Sequence, residues 1–242
     1  MQHFNSEISL VNTYINKFDK LFEGLVKRDL LVYCTESISM NDPAHHLGHV
    51  YDVCQQGKAI AHSLDFHESD MKLVYLACLF HDLGCRFERE FHHLIGYGLT
   101  YDLLHRFCRG EFSEQETLII ATAVLEHRSS NKKKPSNRIS EVVSVADSGR
   151  PEISTYIKRC IQFRLHRGDY RDGEDTSKFF GDVKNHLREK FGSTGYHWNS
   201  YPDLGMTFFY EEWKNFSYFL QEENESELDA LVVAQFNKVL RG

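Results

Sequence analysis

The sequence predicts an all-α fold, and three observations support this prediction. Apolar residues recur at helical spacing through most of the chain, as they do between positions 8 and 25. Alternation of apolar and polar residues, which marks strands, never continues beyond four residues. Residues 73–80 are all apolar, which suits a buried helix, and the run is followed at once by His81 and Asp82.

The helices can be placed in order along the chain. The first is expected to break near Gly24, and Asp42-Pro43 indicates a turn before the second. Ser113 and Glu116 form a capping-box pattern at the start of a later helix. The predicted helices cover residues 5–33, 44–64, 68–82, 88–107, 113–128, 139–147, 153–166, 176–191 and 225–240.

The chain has no long linker, so we expect residues 1–242 to form one domain. Its core motifs would lie at about 40–150, followed by a helical extension at about 151–242. The net charge of -7 argues against non-specific binding of nucleic acid. The longest apolar run is too short for a membrane span, and the N-terminal residues lack a signal-peptide pattern. The six cysteines include no C-x-x-C pair, which predicts reduced thiols and a cytoplasmic protein.

Several polar residues fall where a predicted helix faces inward. One such histidine is commonly a core residue with its hydrogen bonds satisfied. His81 and Asp82 alone could mark a helix C-terminus, with the imidazole at the negative end of the dipole and a glycine after it. Several imidazole and carboxylate groups on separate helices, however, favour a metal site in a bundle core. The inward polar positions beside the His81-Asp82 pair are His49, His92, His127 and Asp147.

These residues and their flanks resemble the HD-domain metal-dependent phosphohydrolase superfamily. The first motif is Asp-Pro-Ala-His-His-Leu-Gly-His, which ends at His49. The central motif is Leu-Phe-His-Asp-Leu-Gly, and the closing motif is Val-Ser-Val-Ala-Asp, which ends at Asp147. The resemblance covers about residues 40–150 and implies an HD-domain-like helical bundle with extra C-terminal helices. It also implies that His49, His81, Asp82 and Asp147 bind a metal ion.

Two further motifs are similar to those of HD-domain proteins that bind two metals. His92-His-Leu-Ile-Gly resembles the H-x-x-I-G element of HD-GYP phosphodiesterases, and Glu126-His127-Arg128 resembles the next histidine motif of that group. The resemblance thus implies six ligands, with Asp82 shared between two ions. The Gly-Tyr-Pro segment of HD-GYP proteins is absent, which argues against hydrolysis of cyclic di-GMP. Cys85 follows the central motif where the family often has lysine.

A metal-dependent phosphohydrolase is the function that the resemblance implies. We expect one or two divalent transition ions (Mn, Fe, Co, Ni or Zn) and a small phosphorylated substrate such as a nucleotide. Asp82 is expected to orient the attacking water, His46 to donate to a phosphate or to the leaving group, and Arg86 and Arg128 to bind phosphate. Two alternatives stay open: a di-iron oxygenase like myo-inositol oxygenase, whose ligand set is similar, and a non-catalytic nucleotide-binding protein. The sequence does not decide the substrate or the oligomeric state.

Overall fold

The computed structural model describes residues 2–128, 131–171 and 175–241, and within these ranges it is all-α, as predicted. No strand occurs in these ranges, and none of their helices is long and apolar enough to cross a membrane. The α-helices are α1 (Gln2–Leu21), α2 (Arg28–Ile38), α3 (Leu47–Ser63), α4 (Glu68–Phe80), α5 (His92–Phe107), α6 (Glu114–Glu126), α7 (Arg138–Ser148), α8 (Ile153–Arg167), α9 (Thr176–Phe191), α10 (Asp203–Phe208), α11 (Tyr210–Leu220) and α12 (Glu225–Arg241).

The chain divides into two compact units, Met1–Gly149 and Arg150–Gly242. In the N-terminal unit, α4 packs against α3, α6 and α7. Every residue of the apolar run 73–80 is buried, which explains why α4 carries no polar face there. The polar pair His81-Asp82 therefore stands at the end of the most buried helix of this unit.

Helix α3 approaches α4 closely because Gly57 has no side chain. A Cβ atom at this position would lie 2.6 Å from the Sγ atom of Cys78. Such a contact is far shorter than normal packing allows, so alanine would push the two helices apart. The close packing of α3 and α4 brings His49, near the start of α3, to the end of α4.

Most helix boundaries agree with the sequence prediction. The first predicted helix breaks at Glu23 and Gly24, which have φ angles of 54° and 76°. The capping box at Ser113 and Glu116 is present. The start of the helix predicted at 88–107 is wrong, because α5 begins only at His92. A 3₁₀ turn, Leu83–Arg86, follows the end of α4 and is not extended into α5.

The C-terminal unit has an aromatic core. Helix α12 packs against α8 and α9, and α11 also contacts α12. The ring of Phe216 lies 5.0 Å from that of Phe191 and 5.2 Å from that of Trp213, measured between centroids. Aromatic pairs at such distances stabilise a core beyond the area that they bury. The C-terminal aromatic residues of the sequence thus contribute to packing.

One imidazole in this aromatic core has no hydrogen bond. His197 is buried, and neither of its ring nitrogens has a partner in the described part of the chain. Its ring centroid lies 4.6 Å from that of Tyr201 and 4.8 Å from that of Phe191. Burial, together with the positive charge of Lys190, lowers the pKa of His197 to about 3. The imidazole is therefore neutral at pH 7.

We expect His197 to make the C-terminal unit sensitive to acid. Its folded pKa lies below its unfolded value of about 6.5, so the unfolded chain binds the proton first and stability falls as the pH drops from about 6.5 toward 3. The free energy of unfolding should fall by at most roughly 1.4 kcal/mol per pH unit in this window. His197→Leu should flatten this dependence. Trp198 and Trp213 are the two tryptophans of the chain, so their fluorescence during urea unfolding reports on this unit.

The exposed His166 near the end of α8 provides the control. His166→Leu should keep the acid dependence of the wild-type protein. Equal slopes for the wild-type and His197→Leu proteins between pH 6 and pH 4.5 would show that His197 takes up no proton on unfolding.

Candidate metal centre

The structure brings together the six side chains that the sequence singled out as metal ligands. They lie at or near the ends of five helices of the N-terminal unit, α3 to α7, and their donor atoms form two adjoining groups that could each hold a metal ion. Within each group the donor atoms lie within 4.8 Å of one another. The first group is His49, His81 and Asp147, and the second is Asp82, His92 and His127.

Asp82, a member of the second group, lies between the histidines of the two groups and turns one carboxylate oxygen toward each pair. Its Oδ2 atom is 3.1 Å from Nε2 of His81 and 3.4 Å from Nε2 of His49. Its Oδ1 atom is 3.4 Å from Nε2 of His92 and 3.8 Å from Nε2 of His127. A carboxylate in this position can contribute one oxygen to each of two neighbouring cations.

The first group is compact. The Nε2 atom of His49 lies 3.2 Å from Oδ1 of Asp147 and 3.3 Å from Nε2 of His81. Asp147 is on α7 and His49 on α3, and these helices pack against each other and against α4. The packing of three helices thus sets the distances between the three donor atoms.

The protonation of three imidazoles is fixed by the backbone. The Nδ1 atom of His81 lies 2.7 Å from the carbonyl oxygen of Cys78, three residues earlier. The corresponding distances for His92 and His127 are 2.7 Å and 2.6 Å, again to the carbonyl three residues earlier. Because a carbonyl oxygen only accepts hydrogen bonds, Nδ1 carries the proton in each ring. When such a ring is neutral, its Nε2 atom is left as the metal-binding nitrogen.

The charges differ between the two groups. Burial lowers the pKa of His127 to about 4 and also lowers that of His92, so both rings are neutral at pH 7. For His49, burial alone would lower the pKa, but the carboxylates of Asp147 and Asp82 raise it to about 10. Burial would raise the pKa of Asp82, whereas the neighbouring imidazoles keep it well below its usual value. His49 therefore carries a proton between the carboxylates of Asp147 and Asp82, and a metal cation would displace this proton.

The donor set fits a cation of a transition metal. The Nε2 atoms of His92 and His127 lie 3.0 Å apart, and in neutral rings with protonated Nδ1 both present lone pairs. Asp82 Oδ2 is buried and has no hydrogen bond of normal geometry among the described residues. Buried lone pairs and a buried carboxylate need compensation, and imidazole with carboxylate is a ligand set that transition metals prefer.

A cavity of about 510 Å³, here called the histidine–aspartate cavity, opens beside these groups. Its lining includes two arginines that belong to different parts of the N-terminal unit, Arg89 and Arg128. Nη1 of Arg128 donates a hydrogen bond of 2.6 Å to the carbonyl oxygen of Glu90, which holds the guanidinium at the cavity. The remaining lining residues are His45, Asp82, Glu88, Glu90, His92, His127 and Asp147.

Two of the residues predicted to contact substrate point elsewhere. Nη1 of Arg86 donates to Oγ of Ser37 at 3.0 Å, and Nε2 of His46 lies 3.1 Å from the carbonyl oxygen of Ser39. Neither side chain is among those that line the described cavity, whereas Arg128 is. Sequence reasoning missed His45 and Arg89, which do line it. The signal that could have found them is their place in the sequence. His45 directly precedes His46, and Arg89 lies three residues before His92.

The comparisons with known proteins agree with this geometry. Residues 47–149 match the family model of the HD domain. We refer to this matched segment as the HD domain. The match ends at the last residue of the N-terminal unit and contains all six of the converging side chains. The HD domain belongs to a superfamily of metal-dependent hydrolases, and its His and Asp groups could hold a metal ion. Comparisons with curated proteins and with solved structures give no match.

Gly84 of the HD domain allows the His92 backbone to approach the central motif. A Cβ atom at Gly84 would collide with the carbonyl group of His92, at 2.8 Å from the carbonyl carbon. We therefore expect Gly84→Ala to displace His92 and to weaken metal binding by the second group while the first group keeps its ion. The stability loss should be about 1–3 kcal/mol. Metal analysis of the purified variant, with its melting temperature, tests this expectation.

Gly98 on α5 is the matched control, because nothing lies within 4 Å of a Cβ atom built there. Gly98→Ala should leave metal content unchanged and stabilise the helix by about 1 kcal/mol. If Gly84→Ala retained wild-type metal content, the close approach of Gly84 and His92 would be irrelevant to the centre.

Proposed function

We propose that the HD domain hydrolyses the phosphate ester of a nucleotide or of another small phosphorylated compound. The observation that carries this proposal is the position of Asp82, with one carboxylate oxygen toward each histidine group, at the floor of a cavity that two arginines line. A volume of about 510 Å³ is in the range of small-molecule sites. Arginine is well suited to phosphate because its planar guanidinium donates two parallel hydrogen bonds.

The proposed ligands divide by geometry. His49, His81 and Asp147 would hold one divalent ion together with Oδ2 of Asp82, and His92 and His127 would hold a second together with Oδ1. The mixed nitrogen and oxygen donors favour Mn, Fe, Co, Ni or Zn. Such ions, when bound, lower the pKa of a coordinated water and neutralise charge on phosphoryl oxygens.

The protein's own groups would bind and orient the substrate. Arg128 is held by the carbonyl oxygen of Glu90, and its guanidinium is positioned to donate to a phosphoryl oxygen. Arg89 adds a second positive charge to the same cavity. The carboxylates of Glu88 and Glu90 also line the cavity and would repel a bare polyanion. A substrate that combines one phosphoryl group with hydroxyl or amino donors suits this arrangement.

His45 is a better proton donor than His46, because it lines the cavity. Its Nδ1 atom lies 2.8 Å from Oδ2 of Asp42, and this carboxylate orients the ring. We expect His45→Gln to lower kcat by about 10²–10⁴-fold, the usual contribution of a general acid or base. Metal content should not change, and the pH–rate profile should lose one limb.

His46→Gln is the matched control, since His46 is adjacent in sequence but faces the Ser39 carbonyl group. It should keep kcat within a few-fold of the wild-type value. Equal losses in both variants would assign the effect to the local turn and not to proton transfer by His45.

A screen of phosphorylated metabolites with Mn, Ni, Co and Fe tests the proposed reaction. Phosphate release that needs metal and that falls with Arg128→Gln, chiefly through KM, would support it. The six-ligand set would also suit a di-iron oxygenase, and oxygen uptake by iron-loaded protein without phosphate release would favour that alternative. Saturable nucleotide binding without turnover under any metal would favour a non-catalytic binding protein.

A further inference from the structure

The C-terminal unit contains a second cavity, which lies outside the HD domain. It has a volume of about 310 Å³ and is lined only by residues of α8 and α9, so we call it the α8–α9 cavity. Cationic side chains dominate its polar lining: Arg159, Arg164, Arg167 and Lys190, with His186. No carboxylate is among the described lining residues, although the whole chain has a net charge of -7. Positive charge is therefore concentrated in this cavity, although the chain as a whole is negatively charged.

Two of these cations lack an acidic partner. Arg164 and Arg167 lie 3.5 Å and 3.6 Å from the carboxylate of Asp169, which partly neutralises them. Arg159 and Lys190, in contrast, have no carboxylate within ion-pair distance in the part of the chain that the structure describes. Burial and the charge of Arg159 lower the pKa of Lys190. An anion between the two side chains would remove this repulsion.

Aromatic rings form the other part of the lining. The Nζ atom of Lys190 is 5.0 Å from the ring centroid of Phe191 and 5.8 Å from that of Tyr156. The guanidinium of Arg159 lies 6.0 Å from the Tyr156 centroid. These rings hold the two cations by cation–π contact but cannot neutralise their charge. Phe163 also lines the cavity and leaves 59% of its surface exposed, and the guanidinium of Arg167 lies 5.5 Å from its ring centroid.

We propose that the α8–α9 cavity binds a mononucleotide, with its phosphate between Arg159 and Lys190 and its base against the exposed ring of Phe163. The cavity volume lies at the lower end of the range for small-molecule sites, which suits one nucleotide and not a dinucleotide. Guanidinium and ammonium groups bind phosphate, while an exposed aromatic ring offers a stacking surface for any base. This site is independent of the function proposed for the HD domain.

Equilibrium dialysis of the metal-loaded full-length protein tests the proposal. The probe is the phosphonate analogue of AMP, in which a methylene group replaces the bridging ester oxygen, so that the HD domain cannot hydrolyse it. Arg159→Gln combined with Lys190→Gln should lower the affinity of one site at least tenfold. Phe163→Ala should lower the affinity of the same site at least fivefold, since base stacking on an aromatic side chain contributes about that much or more.

Lys158→Gln is the control, because Lys158 is an exposed neighbour on α8 that does not line the cavity. It should bind the probe as the wild-type protein does. Arg159 is exposed, so the single Arg159→Gln variant keeps the fold if the double variant does not, and it should still weaken binding severalfold. Unchanged binding in the Arg159 and Phe163 variants would overturn the proposal. So would a single binding site that disappears on substitution of Arg128.

Discussion

Replacing Asp82 with asparagine is expected to remove bound metal and to lower the proposed phosphohydrolase activity by at least about a thousandfold. The reason is that both carboxylate oxygens face imidazoles, Oδ2 toward His81 and Oδ1 toward His92, so one substitution damages both groups. The helix content should stay close to that of the wild-type protein. The backbone carbonyl of Asp82 accepts a hydrogen bond from Nδ2 of Asn41 at 3.1 Å, and this contact does not involve the substituted side chain. Elemental analysis and circular dichroism measure the two effects.

Asp52→Asn provides the control for this experiment. Asp52 is exposed on α3, the helix that also carries His49, and it belongs to neither metal-binding group. Its variant should retain metal and activity. Should Asp82→Asn unfold while its residual folded fraction still binds metal with wild-type affinity, Asp82 would be a structural carboxylate and not a ligand.

The double substitution His92→Ala and His127→Ala is expected to reduce the metal content from two ions per chain to one. These two rings supply the nitrogens of the second group, while His49, His81 and Asp147 are left in place. Activity should fall by roughly a hundredfold or more, because one of two charge-stabilising ions is lost. Metal-to-protein ratios under saturating metal, before and after the substitution, give the result directly.

His105→Ala is the corresponding control, since His105 is an exposed histidine in the last turn of α5. It should leave the ratio at two. A wild-type ratio that stays at one would rule out the second ion. In that case His92 and His127 would have to be protonated at Nε2 to donate hydrogen bonds to the substrate phosphate, and a one-metal phosphohydrolase would be left as the proposal.

The sequence predicts the frame of the HD domain well, because its helices are strongly patterned. The buried run at 73–80 and the capping box at Ser113 are local signals, and both are present in the structure. The convergence of six side chains on separate helices is not a local property. Here the resemblance to a family gave the expectation, and the packing of helices α3 to α7 provides its physical basis.

Residues that lie in turns could not be predicted in the same way. His46 was expected one helical turn before His49, but α3 begins at Leu47 and His46 has extended backbone angles of -82° and 178°. Its side chain therefore leaves the helical register, and His45 lines the cavity instead. Arg86 lies at the end of a 3₁₀ turn, where its guanidinium reaches Ser37. Distance along the sequence from a motif residue does not predict the direction in which the side chain of His46 or of Arg86 points.

The sequence predicted even fewer features of the C-terminal unit. Its helices were located by apolar spacing, but nothing in the spacing indicated that His197 lies among four aromatic rings without a hydrogen bond. The same holds for Arg159 and Lys190, which are 31 positions apart (159 to 190) and meet only because α8 packs against α9. Long-range packing decides both features.

The backbone hydrogen bonds of the three imidazoles have a consequence for protein design. Each ring obtains its tautomer from the carbonyl three residues earlier, so no supporting side chain is needed to orient it. His81 and His127 obtain this geometry as the residues that directly follow α4 and α6, with helical backbone angles. A designer could therefore graft such a histidine onto the C-terminus of any buried helix. Two such helix ends that face a shared carboxylate would form a minimal, pre-oriented metal site in an artificial bundle.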